Sequence, residues 1–365
     1  VNPLVLGAAV SLVVGLAGTR LYIALARKMG WGQFVRDDLS ADHQAKRGTP
    51  QMGGIAIILS TLLGYFLAHL ISGEAPTASG ILVLFMMVGI GFVGFLDDWT
   101  KIKREDSGGL SGRQKVVGQT VVAIVFAILA SLFSRDGVTP ASHHVSFVRD
   151  TGLDLAVLGT GVGIVLFVIW TVLITAAASN GVNLTDGLDG QAAGASIMVF
   201  GAYVLISLWQ LAQSCASGAG PGCYEVRDPY DLALVALCIA CACVGFLWWN
   251  TPPADLFMGD TGSLGLGGAL AAIAILSRTE LLLILLGGLF VFETVTVILQ
   301  TSYFKATKRR NGGVGKRLFR MTPIHHHFEM LGWRQITVSI RFWMICFICV
   351  GAGLGVFYME WFLRQ

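Results

Sequence analysis

Ten apolar stretches, each near the length that spans a bilayer, dominate this chain of 365 residues. They run over about 2–26, 52–72, 79–96, 116–134, 153–177, 192–213, 230–249, 262–277, 281–304 and 336–360. A helix rises about 1.5 Å per residue, so about 20 apolar residues cross a hydrocarbon core of about 30 Å. Lipid offers no partner to a backbone N–H or C=O, so a span must satisfy its own hydrogen bonds, as a helix does. The strands of a β-barrel would alternate apolar with polar residues, whereas these runs are continuously apolar. Charged residues make up 13% of the chain, about half the share usual in soluble domains. The sequence therefore predicts an all-α, polytopic integral membrane protein with about ten transmembrane helices, forming a single domain over 1–365. The first stretch lacks a basic region before a short apolar core and cleavage site, so 2–26 reads as a retained helix and not a signal peptide.

The net charge of +3 becomes informative once it is mapped. Of the 25 Lys and Arg residues, 18 fall in the loops 27–51, 97–115 and 305–335, which share one face if the spans alternate. Only five fall on the opposite face with the C-terminal tail. By the positive-inside rule the first face is cytoplasmic and both termini are extracellular. Two further loops on the cytoplasmic face, 178–191 and 250–261, carry no Lys or Arg but hold Asp186, Asp189, Asp255 and Asp260. One face thus presents cations on some loops and carboxylates on others. Among the cysteines, Cys215 and Cys223 share an external loop, as a disulfide or as free thiols. "CIAC" (Cys238, Cys241) and "CFIC" (Cys346, Cys349) lie within apolar spans and read as packing residues, not metal ligands.

The unusual chemistry sits in the cytoplasmic loops. "GFLDDWTK" ends the third span with Asp97 and Asp98, and Lys101 follows Asp97 at i+4, on the same helical face. A stop-transfer cap is the plain reading, but two adjacent carboxylates repel each other, and Mg²⁺, which prefers oxygen ligands, would relieve this. "NLTDGLDG" spaces Asn183, Asp186 and Asp189 by threes, either on one helical face or in a turn framed by Gly181, Gly187 and Gly190. "NTPPADLFMGDTGS" follows Asn250 with two helix-stopping prolines and places Asp260 at the start of the next helix. There it serves as an N-cap or as a metal ligand beside an anion-attracting helix terminus. Phe257 in the same loop suits stacking on a base or anchoring at the interface. "KRLFRMTPIHHHFE" carries His325, His326 and His327 beside Lys316, Arg317 and Arg320. Without spaced Cys/His partners for zinc, phosphate binding is the better reading. "KRGTPQMGG" joins Lys46 to a Gly-rich helix entry through Gln51. Glu293 lies inside the ninth span, where an ionisable residue is a functional candidate. Carboxylates for Mg²⁺, cations for phosphates and an aromatic for a base together suggest phosphoryl transfer from a nucleotide-linked donor to a lipid acceptor.

These motifs resemble the polyprenyl-phosphate N-acetylhexosamine-1-phosphate transferases over nearly the whole chain. "FLDDWTK", "NLTDGLDG" and "FMGDTGS" are similar to that superfamily's aspartate motifs. "KRGTPQMGG", "LSGRQK" and above all "MTPIHHHFE" resemble its phospho-N-acetylmuramoyl-pentapeptide-transferase family. The resemblance implies transfer of phospho-N-acetylmuramoyl-pentapeptide from its UDP conjugate, UDP-N-acetylmuramoyl-pentapeptide, to undecaprenyl phosphate, giving lipid I and UMP. It also implies Mg²⁺ dependence, a homodimer in the bacterial plasma membrane, binding of uridine-based nucleoside inhibitors and no nucleic-acid partner. By motif position Asp260 would ligate Mg²⁺, with Asp97 and Asp98 close to the metal and Asp97 a candidate base. Lys115 would assist phosphate binding, His325 and His326 would support the donor side, and His327 would bind substrate beside them. Lys46, Phe257 and Asp189 would contact the uridine, near Asn183, Asp186 and Asn250. Gln51 departs from the Thr or Ser common at its position in the family, which puts a hydroxyl contact there in doubt. Competing readings are a sister transferase using UDP-N-acetylglucosamine, a secondary transporter and a non-enzymatic scaffold. The triple histidine argues against the first, and the clustering of carboxylates at one face argues against the second.

Overall fold

The computed structural model describes residues 2–32, 48–105, 108–157, 159–218, 220 and 222–364. The helices are α1 (Pro3–Met29), α2 (Gly54–Ser72), α3 (Ala78–Arg104), α4 (Gly112–Leu132), α5 (Thr160–Thr185), α6 (Gln191–Ala212), α7 (Pro229–Asn250) and α8 (Gly259–Leu276). They continue with a single turn, α9 (Leu283–Leu286), then α10 (Gly288–Arg310), α11 (Ile324–Met330) and α12 (Gln335–Phe362). A short antiparallel hairpin, β1 (His144–Ser146) and β2 (Asp150–Asp154), lies between α4 and α5, with Ser146 opposite Asp150. Among the described residues, nine helices, α1 to α8 and α12, are long and apolar enough to cross a bilayer.

The ninth sequence span, 281–304, departs from the expectation of one continuous apolar helix. Gly287 separates α9 from α10, whose first residue is Gly288. Half-buried Gln300 of α10 holds the following loop, accepting hydrogen bonds from the amides of Leu318 and Phe319 at 2.8 and 2.9 Å. Two other boundaries move for local reasons. Ser111 and Gln114 form a reciprocal capping box that starts α4 ahead of the apolar run. Residues 150–154 form a strand, and α5 instead runs on to Thr185, which carries Asn183 into its last turn.

The most enclosed of the nine spanning helices is α8, 89% buried against 22% for α1. Small residues allow this. A Cβ on Gly94 of α3 would lie 2.1 Å from the Asp260 carbonyl oxygen, and one on Gly54 of α2 would lie 2.0 Å from the Gly262 nitrogen. Close approach of this kind replaces the hydrophobic drive that lipid cannot supply between helices. It also brings the ends of α3 and α8 together, and with them their aspartates.

The opposite end of the bundle is built differently. Cys215 and Cys223 form a disulfide. The Arg149 guanidinium donates to the Gly222 carbonyl at 2.6 Å and to Glu360 at 3.0 Å, and it covers the Tyr224 ring at 3.8 Å. Asn2 accepts from the Tyr230 hydroxyl at 3.4 Å. Both ends of the described chain therefore lie on this face, away from Asp260. Cys238, Cys241, Cys346 and Cys349 are free thiols inside helices.

Candidate active site

Helix ends supply nearly every polar group of the site. Asp97 and Asp98 lie on the last turns of α3, Lys115 on the first turn of α4, and Asn183 on the last turn of α5. Asp186 and Asp189 sit in the turn between α5 and α6, Asn250 ends α7, and Asp260 is the second residue of α8. One carboxylate oxygen from each of Asp97, Asp98 and Asp260 lies within 4.8 Å of the others.

Two lysines enter this cluster. The Lys115 ammonium is 2.5 Å from Asp260 and 3.1 Å from Asp97. The Lys101 ammonium is 2.6 Å from Asp97, 3.5 Å from Asp260 and 3.6 Å from Asp98. Three carboxylates facing two ammoniums retain one negative charge. The three aspartates are not equivalent. Asp98 accepts from the Asp260 amide at 3.1 Å, the Thr261 amide at 2.9 Å and the Thr261 hydroxyl at 2.7 Å. It thus caps α8 from a neighbouring helix and satisfies N–H groups that have no partner within α8. Asp260 is thereby freed from capping its own helix, the plainer of its two sequence readings. Its carboxylate faces the lysines and accepts from the Asn183 amide at 2.9 Å. Asn183 also reaches the Ser263 hydroxyl at 2.9 Å.

The donor set fits Mg²⁺: it is all oxygen, convergent and incompletely neutralised. Asp260 turns its carboxylate to the lysine ammoniums, which a divalent ion can displace. Asp97 does so while also accepting from the Leu110 amide at 2.6 Å, and Asp98 is held by the Asp260 and Thr261 amides and the Thr261 hydroxyl.

Beside the cluster lies a cavity of about 160 Å³, lined by Gln51, Asp98, Lys101, Asp186, Asp189, Asn250, Phe257 and Asp260. Its lining is of two kinds. Asn250 is committed on both ends, accepting from the Gly190 amide at 3.0 Å and donating to the Leu256 carbonyl at 2.8 Å. It joins the 186–190 turn to the 251–258 loop. Asp189 is buried and accepts from the Ala254 amide at 3.2 Å, reinforcing the same junction. Phe257 pairs its backbone with Pro50 and Gly53, both at 2.9 Å, which fixes its ring as part of the wall.

Burial pushes the Asp186 carboxyl up to about 8, aided by the charges of Asp260, Asp98 and Asp189 and opposed by Lys101. The raised folded-state value means that its contribution to stability is complete below the unfolded value of 3.8 and is lost as pH rises through about 8. Asp186→Asn cannot ionise. In metal-free detergent solution its Tm advantage over the unmodified protein should therefore grow from pH 5 to pH 8 and then level off. Parallel Tm curves for the two proteins would contradict this assignment.

The histidines divide. The His325 Nδ1–H donates to Glu293 at 2.9 Å, and both side chains are fully buried. His326 pairs with Glu329 at 2.6 Å, its ring 4.2 Å from that of His325. His327 accepts from the Arg320 amide at 3.1 Å and packs edge-on against Phe319, so it braces the loop ahead of α11. Asp255 is apart from the carboxylate cluster, paired with Arg27 at 2.8 Å. Lys46 lies outside the described residues. Lys101 belongs to the site as closely as Lys115 does, and its i+4 spacing from Asp97 is the sequence signal for it. Gln191, which donates to Glu293 at 3.0 Å, carries no such signal, being one amide at a helix start.

Residues 80–278 match glycosyl transferase family 4. The chain is 59% identical to the phospho-N-acetylmuramoyl-pentapeptide-transferase of a Nocardioides species over 97% of both chains. It is also 59% identical to the same-named protein of Kineococcus radiotolerans, again over 97% of both. The Paenarthrobacter aurescens protein of that name is 55% identical over 98% of both. With the aspartates, lysines and histidines of the resemblance embedded in such full-length similarity, the chain belongs to the phospho-N-acetylmuramoyl-pentapeptide-transferase family.

Proposed function

We propose that the protein transfers phospho-N-acetylmuramoyl-pentapeptide from its UDP conjugate to undecaprenyl phosphate, giving lipid I and UMP. The observation that carries this reading is the convergence of Asp97, Asp98 and Asp260 with Lys101 and Lys115 at one end of a membrane-spanning bundle. That end meets a polar cavity walled by Phe257, as a nucleotide-linked donor and a lipid-borne acceptor require.

A phosphate monoester has a second pKa of about 6, so the acceptor is largely a dianion at neutral pH. One of its oxygens attacks the sugar-bearing phosphorus of the donor pyrophosphate. The bond from that phosphorus to the UMP oxygen breaks, and UMP leaves with the electron pair. No proton has to be removed from the dianion, so Asp97 is not needed as a base. It acts on the acceptor only through the lysine ammoniums it holds at 2.6 and 3.1 Å and the metal it would ligate. Lys115 and Lys101 hold the phosphate oxygens by charge. Mg²⁺ held by Asp97 and Asp260, with Asp98 fixing the end of α8 behind them, would neutralise the pyrophosphate and the leaving phosphate. Gln51, Asp186, Asp189 and Phe257 form the nucleotide side of the cavity.

The test combines purified protein, UDP-N-acetylmuramoyl-pentapeptide, undecaprenyl phosphate and Mg²⁺. UMP should be released only when both substrates are present. Release with UDP-N-acetylglucosamine instead would favour the sister transferase, and a sugar-phosphorylated protein trapped without lipid would overturn direct attack.

The site faces the cytoplasm in this reading, with both termini outside and the protein acting as a homodimer in the plasma membrane. The distribution of Lys and Arg supports the orientation. Single cysteines placed at exposed positions in a background lacking reactive thiols should report it. A cysteine replacing Asn2 should react with an impermeant reagent in intact cells, and one replacing Lys308 only after lysis. The reverse pattern would invert the topology.

A further inference from the structure

Glu293 is a fully buried carboxylate that lies outside the aspartate cluster. It receives three donors: His325 Nδ1–H at 2.9 Å, Gln191 Nε2–H at 3.0 Å and the Ile324 amide at 2.9 Å. Charge-assisted bonds of this kind are strong and directional. They also grip one short segment from two sides. Gln191 immediately follows the turn that carries Asp186 and Asp189. His325 presses on the same turn from behind, because a Cβ on Gly187 would lie 2.1 Å from His325 Nε2. That nitrogen is buried and has no hydrogen-bond partner among the described residues. Gly187 in turn lines the cavity on its other side.

We propose that Glu293 is a positioning residue for the donor cavity: through His325 and Gln191 it sets the Asp186–Asp189 turn, with His325 acting as a strut behind Gly187. The inference rests on the proposed reaction. It accounts for two features at once, a buried intramembrane carboxylate outside the aspartate cluster and a histidine whose second nitrogen is directed at a glycine. With Nδ1–H donated to Glu293, the ring is held in one orientation. Any side chain on Gly187 would force either the ring or the turn to move.

The experiment measures KM separately for the UDP-linked donor and for polyprenyl phosphate. Glu293→Ala should raise the donor KM about tenfold or more, since displacement of a positioning element by about 1 Å has large kinetic effects. The acceptor KM should stay within about twofold. Glu293→Gln keeps an oxygen for His325 and Gln191 but turns its NH2 toward the Ile324 N–H, so its donor KM should fall below that of Glu293→Ala without returning to that of the unmodified protein. Gly187→Ala should reproduce the donor-selective rise, and His325→Ala, which removes the strut, should do the same. This pair decides the matter if Glu293→Ala fails to fold. The proposal is overturned by a folded Glu293→Ala protein with an unchanged donor KM or with equal rises in both KM values. It is equally overturned if Gly187→Ala and His325→Ala both leave the donor KM unchanged. Absence of UMP release by the unmodified protein would instead strike the proposed reaction itself.

Discussion

Asp260→Asn should lower UMP release about 10³-fold while leaving the protein folded, a loss of about 4 kcal/mol of transition-state stabilisation. The substitution preserves shape, so the start of α8 and its cap by Asp98 remain. What it removes is the carboxylate that Lys115 approaches at 2.5 Å and Lys101 at 3.5 Å. Two lysines would then face only Asp97 and Asp98, and the residual negative charge that attracts a divalent cation would vanish. Mg²⁺ binding, followed by competition with Mn²⁺, should weaken together with turnover. Turnover retained at saturating Mg²⁺ would remove Asp260 from the metal site.

Lys115→Met should also cost about 10²–10³-fold in turnover, but with the opposite effect on the cation. Loss of this ammonium leaves Asp97 and Asp260 less neutralised, so Mg²⁺ should bind more tightly while catalysis falls. If Lys115 only balances the charge of the aspartates, excess Mg²⁺ will restore the rate. If it holds a substrate phosphate, as proposed, the rate stays low at any Mg²⁺ concentration. Measuring Mg²⁺ affinity and rate on the same preparation separates the two.

The aspartate motifs are legible in the sequence because charge is rare in this chain and its placement at span ends is conspicuous. Asp97, Lys101 and Asp98 can be read together from helical spacing, and the structure brings them within reach of one another. Other assignments depend on partners distant in sequence. Asp98 and Asp260 look alike as isolated carboxylates, yet the first caps a neighbouring helix and the second faces two ammoniums. The triple histidine reads as one motif, but its members have three different partners: Glu293, Glu329 and the Arg320 amide. The ninth apolar span reads as a continuous helix by composition, whereas its polar residues, Glu293 and Gln300, are used to hold the histidine loop.

The sequence by itself determined the membrane-spanning helical class, the face that carries the chemistry and the residue types assembled there. These follow from local quantities: the length of apolar runs, the distribution of lysine and arginine, and the punctuation by proline and glycine. Tertiary structure alone decided which carboxylate faces the lysines, which is a cap, and which histidine stands behind the Gly187 turn. A charged side chain is defined chemically by what neutralises it. Here the neutralising groups come from helices that only glycine contacts such as Gly94 against Asp260 bring close enough to meet.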